Sequence, residues 1–453
     1  HTNDRRQRQM CIRDSHKPFS QTDLLAEESL SANAKVEHLI AFPKKINLSS
    51  PVEYTQILVE ADLGGGRTTD VTRMVSWKGN KDLGKIDNRG VFTPNKNGEG
   101  TLIATLGDKS AKITVSVTGM GKEYKPDFIS EVNPVISKLG CNAGTCHGAK
   151  DGKNGFKLSL RGYDALYDIR GFTDDMASRR VNVAAPERSL MLLKATGMVP
   201  HEGGQLTRED SRYHRIIKSW IGEGAPVNWK ARRVREIKLY PQNPVVEEIG
   251  VTQQFRVVAF YEDGLVRDVT REAFVTSGNG EVAEHDDLSL MTTLRRGEAP
   301  ILARFEGKYA ATTLTVMGNR SGFVWKESSA NNRIDKLVSR KWKRMKIQPS
   351  GLANDLDFLR RVYLDLTGLP PSDSIVASFL EDNRSTDKKK NDLIDQLIGN
   401  EEYIEHWSNK WADMLQVNGK YLGRAGATAL RDWIEDEIRK NCLLYTSPSP
   451  RDA

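Results

Sequence analysis

The chain has 453 residues, of which 28% are charged and 38% hydrophobic, and its net charge at pH 7 is +7. This composition excludes a disordered chain, and the length suggests about three domains of ~150 residues each. No run of 18 apolar residues occurs, so we expect no membrane-spanning segment. The basic residues are spread along the chain, which argues against a nucleic-acid-binding protein.

Both ends of the chain are unlike the rest of it. Residues 1–15 and 442–453 contain RRQRQMCIRDS and CLLYTSPSPRD, which resemble translated sequencing adapters. We therefore exclude both stretches from the fold prediction and expect a fragment of a longer protein between them. Of the four cysteines, only Cys141 and Cys146 then remain.

Residues 36–119 alternate apolar and polar side chains in short runs separated by turns, which is typical of an antiparallel β-sandwich. The turns include Gly64-Gly65-Gly66, which is followed by Asp70-Val71-Thr72-Arg73. The predicted strands include Leu39–Pro43, Tyr54–Ala61, Thr101–Leu106 and Lys112–Val117.

Residues 234–318 repeat this order, including the element Asp268-Val269-Thr270-Arg271. We expect Asp70 and Asp268 to cap turns, with Val71 and Val269 pointing inward. The predicted strands of the repeat are Ile237–Pro241, Gln254–Tyr261, Ile301–Phe305 and Ala311–Val316. On these elements both segments resemble group 2 bacterial immunoglobulin-like domains, a resemblance that implies spacers or surface-binding modules.

Residues 127–226, between the two repeats, are predicted to be helical. Apolar residues at helical spacing form one stripe from Phe128 to Leu139, which Gly140 ends, and another from Tyr213 to Ile221, ended by Gly222 and Gly224. Such stripes predict two helices that pack on a common core.

The first of these helices leads into Cys141-Asn142-Ala143-Gly144-Thr145-Cys146-His147. Two thiols that can add to haem vinyl groups, followed by a histidine that can ligate iron, indicate attachment of haem c. The usual spacing has two residues between the cysteines, whereas this motif has four. We expect Gly144 and Gly148 to let the backbone approach the porphyrin edge. A Cys141–Cys146 disulfide and a metal site that lacks a fourth ligand are the alternatives.

His147 is the predicted proximal ligand of the iron. The glycine-rich loop before the last helix offers His201 as the distal ligand, with Met198 as the alternative. Methionine would raise the reduction potential relative to histidine.

Three stretches of the segment, KLGCNAGTCHGAKDGKNGFKLSLRGYD, RRVNVAAPERSLMLLKATGMVPHEGG and SRYHRIIKSWIGEG, resemble the planctomycete-type cytochrome c module. The resemblance implies covalently bound haem, electron transfer and a periplasmic, extracellular or cell-surface location. It also favours the loop of His201 as the source of the distal ligand.

Residues 333–441 are again predicted to be helical, with a break at Gly368-Leu369-Pro370-Pro371. The strings FLRRVYLDLTGLPP and EEYIEHWSNKWADMLQVN resemble the beginning of an uncharacterised planctomycete helical domain, which implies no biochemical role.

The sequence thus predicts a multidomain protein of all-β and all-α parts, in which two sandwiches alternate with a helical cytochrome c-like domain and a helical C-terminal domain. Its predicted function is electron transfer through haem c, with an unidentified redox partner and no catalytic constellation. The alternative is a surface adhesion or carbohydrate-associated protein that binds a cell-surface polymer, with a structural disulfide and no cofactor.

Overall fold

The computed structural model describes residues 28–30, 34–64, 67–175, 179–318, 320, 322–327 and 329–442. They form two compact units, His1–Val324 and Trp325–Ala453. The first unit combines β-sandwiches with helices and the second is helical, so the predicted fold class is confirmed. The adapter-like stretches, apart from Cys442, and Gly65-Gly66 of the predicted glycine turn lie outside the described residues.

The first sandwich consists of three small sheets with the strand orders β1-β4-β5, β2-β10-β9-β6 and β3-β8-β7. Its strands are β1 (His38–Phe42), β2 (Lys45–Leu48), β3 (Thr55–Gln56), β4 (Leu58–Asp62), β5 (Thr68–Asp70), β6 (Ser76–Lys78), β7 (Gly84–Ile86), β8 (Val91–Pro94), β9 (Gly98–Leu106) and β10 (Lys109–Val117).

The second sandwich repeats this arrangement with the orders β11-β14-β15, β12-β20-β19-β16 and β13-β18-β17. Its strands are β11 (Val234–Tyr240), β12 (Val245–Val246), β13 (Thr252–Gln254), β14 (Arg256–Tyr261), β15 (Val266–Asp268), β16 (Phe274–Ser277), β17 (Ala283–His285), β18 (Leu290–Thr293), β19 (Gly297–Phe305) and β20 (Lys308–Val316).

Alternation of apolar and polar residues builds a separate core in each sandwich. In β10, Ala111, Ile113, Val115 and Val117 are buried while the intervening residues face outward, as the sequence predicts. The antiparallel hairpins β9–β10 and β19–β20 are the longest in their sandwiches. Period-two alternation therefore decides which side of each strand faces the core.

The predicted single strand Tyr54–Ala61 is wrong, because it is two strands, β3 and β4, in different sheets. The chain changes sheet at Ile57, whose N–H donates to the carbonyl of Gly90 at 2.9 Å. The predicted strand Gln254–Tyr261 is divided in the same way at Phe255. Both central residues are apolar, and burial is continuous from Tyr54 to Val59 and from Gln253 to Ala259, so neither break interrupts the buried stretch.

The two Asp-Val-Thr-Arg elements cap turns, as predicted, and their valines are buried. Asp70 Oδ1 accepts the N–H of Thr72 at 2.8 Å, and Asp268 Oδ1 accepts that of Thr270 at 3.0 Å. In each element the threonine hydroxyl is bonded to the neighbouring strand β4 or β14. These bonds fix the carboxylates at the start of the turn.

The helical segment between the sandwiches has a π-helical turn, Phe128–Val132, that continues into α1 (Asn133–Lys138). Among the described residues, the α-helices α2 (Ala165–Thr173), α3 (Leu190–Thr196) and α4 (Arg212–Gly222) follow, with short 3-10 helices at Leu160–Gly162 and Pro186–Arg188. The rings of Phe128 and Trp220 pack with their centroids 5.1 Å apart at the centre of this segment's core. Gly140, in the left-handed conformation with φ 78°, closes the first predicted stripe.

The helical segment is fixed to both sandwiches by buried polar contacts. The guanidinium of Arg212, on α4, is paired with the carboxylate of Glu272 in the second sandwich. Tyr54, of the first sandwich, donates its hydroxyl to the same carboxylate at 2.8 Å. Lys138, the last residue of α1, donates to the carbonyl oxygens of Ala273 and Asp287 at 2.9 and 2.8 Å. The three modules of the first unit therefore share one polar junction.

The regular elements among the described residues of the second unit are helices, and they enclose a small core around Leu359, Phe379, Leu393 and Leu397. Gly368, with φ 72°, ends a helix just before the two prolines, as predicted. The helices of this unit are α5 (Arg333–Arg344), α6 (Asp355–Thr367), α7 (Asp373–Glu381), α8 (Thr386–Leu397), α9 (Glu401–Met414) and α10 (Gly419–Arg439). Across the described ranges, no helix has the length and apolar character needed to cross a membrane.

Candidate functional site

The Cys141–His147 motif folds as a compact series of turns directly after α1. The N–H of His147 donates to the carbonyl of Cys141 at 3.0 Å, and the N–H of Cys146 donates to that of Ala143 at 2.9 Å. The loop between the cysteines is thus closed on itself, and the histidine returns next to the first cysteine. Four intervening residues are accommodated by these internal turns.

Gly148 is required by the motif itself. A Cβ at this position would lie 2.1 Å from the carbonyl oxygen of Asn142, a contact no side chain tolerates. At Gly144, by contrast, a Cβ would meet only Leu160 Cδ1 at 3.6 Å. The space that we expected beside Gly148 for a porphyrin is therefore filled by the motif's own backbone.

Both motif cysteines are free thiols with half-buried side chains. Burial raises the pKa of the Cys141 thiol to about 12, and the proximity of Cys146 adds to the increase. Cys141 is accordingly a neutral thiol at physiological pH. Cys442, the third cysteine among the described residues, is exposed in the second unit.

The imidazole of His147 is held in one orientation. Its Nδ1 lies 3.0 Å from the carbonyl oxygen of Phe156, so Nδ1 carries the proton and donates. Burial lowers the pKa of His147, which favours the neutral ring at pH 7. The ring also packs on that of Phe156, with the centroids 4.6 Å apart. This arrangement leaves Nε2 with a lone pair for a ligand, as in metal-binding histidines.

His201 is oriented in the same manner in the loop after α3. Its Nδ1 lies 3.1 Å from the carbonyl oxygen of Gly204, and its own carbonyl accepts the N–H of Gly204 at 2.9 Å. A Cβ at Gly203 would approach the imidazole to 3.0 Å. Lys194 binds the carbonyl oxygen of Pro200 at 2.6 Å and so ties the loop to α3.

The fold brings the two histidines together, although 54 positions separate them in the sequence. Their ring centroids are 6.5 Å apart and the ring planes are inclined by only 10°. The Met198 side chain is instead 63% exposed. Of the two candidates for distal ligand, His201 is the one that faces His147.

A second group of side chains supports this histidine pair. The guanidinium of Arg180 lies 4.2 Å from the ring centroid of Phe156 and donates to the carbonyl oxygen of Gly171 at 2.7 Å. An ion pair between Lys153 and Glu202 at 3.8 Å joins the two histidine loops. No local pattern of residues predicts these contacts, because each depends on the folded path of a loop.

Several large apolar side chains of the helical segment are exposed. Leu160, which lies beside Gly144, is 52% exposed, and Tyr163 is 94% exposed. Other members of this group are Leu166, Tyr167, Val183 and Met198. Leu160 is therefore an apolar side chain beside the motif that a ligand could cover.

The donor set restricts which metal groups fit. Two imidazoles with free Nε2 atoms are present, but no cluster of three or more His, Cys, Asp or Glu side chains suited to a metal ion occurs in the part of the chain that is described. A structural zinc ion requires four protein ligands. A metal whose remaining ligands come from a macrocycle needs only two axial ones, so the pair fits haem iron better than zinc.

The comparison with known families concerns the second unit. A family model described as PSCyt2, protein of unknown function (DUF1549), matches residues 333–443, which confirms that this region resembles an uncharacterised family. A comparison with curated proteins finds no match.

Several solved structures are distantly similar. The surface layer protein SbsC, domains 1-6, has 10% identity and a TM-score of 0.17, covering 63% of this chain and 28% of that one. SbsC domains 5-6 have 8% identity and a TM-score of 0.26, covering 63% and 100%. Drosophila OTK, extracellular domains 3-5, has 8% identity and a TM-score of 0.14, covering 63% of each chain. This chain therefore spans about a quarter of the first of these proteins, and such low TM-scores carry no argument.

Proposed function

We propose that residues 127–226 bind haem c and that the protein transfers electrons outside the cytoplasm. The observation that carries the proposal is the His147–His201 pair, with parallel rings 6.5 Å apart and both Nδ1 atoms bonded to backbone carbonyls. His147 would be the proximal ligand and His201 the distal one.

The separation of the rings agrees with one iron atom between them. A metal–nitrogen bond of about 2.1 Å, plus about 1.1 Å from the nitrogen to the ring centre, predicts roughly 6.4 Å between the centroids of two ligating imidazoles. Their centroids are 6.5 Å apart.

The thiols of Cys141 and Cys146 support covalent attachment. Each would add across one vinyl group, so that a carbon–sulfur bond forms and the thiol hydrogen passes to the other vinyl carbon, without an external oxidant. Both thiols are free and lie next to the histidine that would hold the iron. The bound haem would supply one-electron transfer.

The remaining residues of the module would hold and orient this group. The carbonyl oxygens of Phe156 and Gly204 fix the tautomers of His147 and His201 and increase their basicity toward a metal. The exposed apolar residues around Leu160 would be covered by the porphyrin. Because haem c is attached beyond the inner membrane in bacteria, the location would be periplasmic, extracellular or on the cell surface.

Co-expression of the full chain with a haem c maturation system tests the proposal. We expect a red protein whose colour survives acidified organic extraction, and a mass increase of one haem on the peptide that contains Cys141 and Cys146. H147A should abolish the low-spin spectrum, and H201A should alter it. Met198→Leu should leave the spectrum unchanged, as should the control His38→Gln, at an exposed histidine of the first sandwich.

The adhesion alternative makes the opposite prediction for the same peptide. If maturation leaves it without haem and two hydrogens lighter than the dithiol, Cys141 and Cys146 form a disulfide and the haem proposal is wrong. An unchanged spectrum in H201A together with an altered one in Met198→Leu would replace His201 by Met198 as the distal ligand.

A further inference from the structure

The first helix of the second unit concentrates positive charge to an extent found nowhere else in the chain. Residues 333–346 contain seven Lys or Arg residues and one acidic residue, Asp335, which gives a net charge of +6. The whole chain has a net charge of only +7. Nearly all of its excess positive charge therefore lies in and just after α5 (Arg333–Arg344).

This helix has two different sides. Val338, Trp342 and Met345, spaced three or four residues apart, form the inner side and are half-buried or buried. Ile334 lies one turn before Val338 on this same apolar side, and Leu337 borders it. Although both are large apolar residues, Ile334 is 69% and Leu337 49% exposed, so the N-terminal end of the apolar side is exposed.

Cations surround the exposed apolar pair. Arg333 and Arg340 are seven residues apart and lie on the same face as Leu337, one turn on either side of it. Both arginine side chains are exposed. The exposed side of α5 thus places the aliphatic side chain of Leu337 between two guanidinium groups.

The helix does not depend on that exposed side for its formation. Asn332 accepts the N–H of Asp335 at 3.0 Å, and the Asp335 carboxylate accepts the N–H of Asn332 at 3.2 Å, which together make a capping box. Basic residues in the last turn, among them Lys341 and Lys343, favour the C-terminal end of the helix dipole. The exposed face is therefore available for another role.

We infer that α5 binds the surface of an anionic lipid bilayer. Phosphate-bearing headgroups complement the +6 charge, and the acyl boundary accommodates Ile334 and Leu337, which is how basic amphipathic helices lie in a membrane interface. A nucleic acid would match the charge but offers no apolar layer for these two side chains. Binding at an interface is compatible with the absence of a spanning helix among the described residues.

Sedimentation of the full chain with vesicles tests this inference. We expect binding to vesicles of 70% phosphatidylcholine and 30% phosphatidylglycerol, no binding to pure phosphatidylcholine, and loss of binding as salt rises from 0.05 to about 0.5 M, since screening shortens the reach of the charges. The double variant Arg333→Glu/Arg340→Glu should weaken binding at least about tenfold.

A matched control separates this helix from overall charge. Lys388→Glu/Lys420→Glu makes the same change in net charge on exposed lysines of α8 and α10, and should leave vesicle binding largely intact. Ile334→Ser/Leu337→Ser retains the charge and should weaken binding about tenfold through the loss of apolar contact.

Three results would overturn the inference. One is the absence of binding to anionic vesicles at low salt. Another is equal weakening by the control pair. The third is that Ile334→Ser/Leu337→Ser leaves binding to the anionic vesicles unchanged, or that the protein prefers a DNA duplex and the same variant leaves this binding unchanged. Either result would identify a purely electrostatic polyanion site. Circular dichroism of each variant establishes that its helices are intact.

Discussion

The carboxylate of Asp70 accepts the backbone N–H of Gln254 at 2.6 Å, and this bond joins the two sandwiches. The second sandwich returns an equivalent bond, from the N–H of Gln56 to Asp268 Oδ2 at 2.8 Å. In each case the aspartate caps its own turn with one oxygen and binds the other sandwich with the second. The two sandwiches are therefore in direct contact and are joined by reciprocal hydrogen bonds.

Removal of one of these carboxylates should destabilise the first unit. Asp268 is buried and its Oδ2 also accepts from Arg256 at 2.7 Å, so Asp268→Ala leaves a buried guanidinium and an N–H unpaired. We expect a loss of about 3–5 kcal/mol in the free energy of unfolding, measured by urea titration of the full chain.

Asp263 provides the control for this change. It is an exposed aspartate of the same sandwich that caps a turn through the N–H of Leu265 at 3.1 Å. Asp263→Ala should cost no more than about 1 kcal/mol. Equal losses in the two variants would mean that the bond to the other sandwich contributes nothing beyond turn capping.

The junction of the three modules should make stability depend on acid pH. Burial raises the pKa of Glu272, but the guanidinium of Arg212 and other positive groups outweigh it, so the net pKa is below the usual value of 4.5. A carboxylate with a lowered pKa stabilises the fold above its unfolded pKa, and this contribution is lost as pH falls through the folded value. Stability should therefore decrease on acidification below about pH 4.5.

Glu272→Gln tests this assignment. The variant cannot titrate, so the free energy of unfolding should be lower at pH 7, where Arg212 loses its counter-charge, and flatter below pH 4.5 than in the parent protein. A parallel pH profile in both proteins would show that other carboxylates account for the acid sensitivity.

The sequence predicts features that depend on neighbouring residues. Alternation identifies β10, helical spacing identifies the stripe that contains Phe128, and Gly140 marks the end of that stripe, because each signal is local. The break at Ile57 has no such signal. There the N–H of Gln56 donates to the carboxylate of Asp268, a residue of the other sandwich.

The candidate site is divided in the same way. The Cys141–His147 motif is legible because its chemistry lies in seven consecutive residues. The pairing of His147 with His201 depends on how loops pack, and only the family resemblance favoured it. The hydrogen bond from His147 to the carbonyl of Phe156 also depends on loop packing and was not predicted. The cluster of basic residues in α5 was missed because the net charge was considered for the whole chain, which averages a local cluster over 453 residues.

Arg180 should raise the reduction potential of a haem held by the histidine pair. Its positive charge lies against Phe156, whose carbonyl binds His147, and it contributes to the lowered pKa of that histidine, of which burial is the main cause. Arg180→Gln removes a charge that disfavours ferric iron, so the midpoint potential should fall by on the order of 50 mV. The neighbouring exposed Arg179 gives the control Arg179→Gln, and an equal shift in both variants would contradict a local effect.

Glu306 is a carboxyl group whose removal should stabilise the protein. Burial raises its pKa to about 8, against the opposing charges of Arg267 and Arg233 and with a small contribution from Asp127. Its Oε1 atom is buried without a hydrogen-bond partner in the described structure. A raised carboxyl pKa means that the folded state holds a proton that the unfolded state releases, so stability falls as pH rises from about 4.5 to 8.

Glu306→Gln keeps the shape of the side chain and removes this titration. We expect the free energy of unfolding at pH 8 to increase by about 1–3 kcal/mol, with little change at about pH 3, because the parent carboxyl is then protonated in both states. The exposed Glu284→Gln is the control and should have no effect at either pH. If Glu306→Gln were instead less stable than the parent at pH 8, the ionised carboxylate would be paired with Arg267. That ion pair would then fully offset the cost of burying the carboxylate.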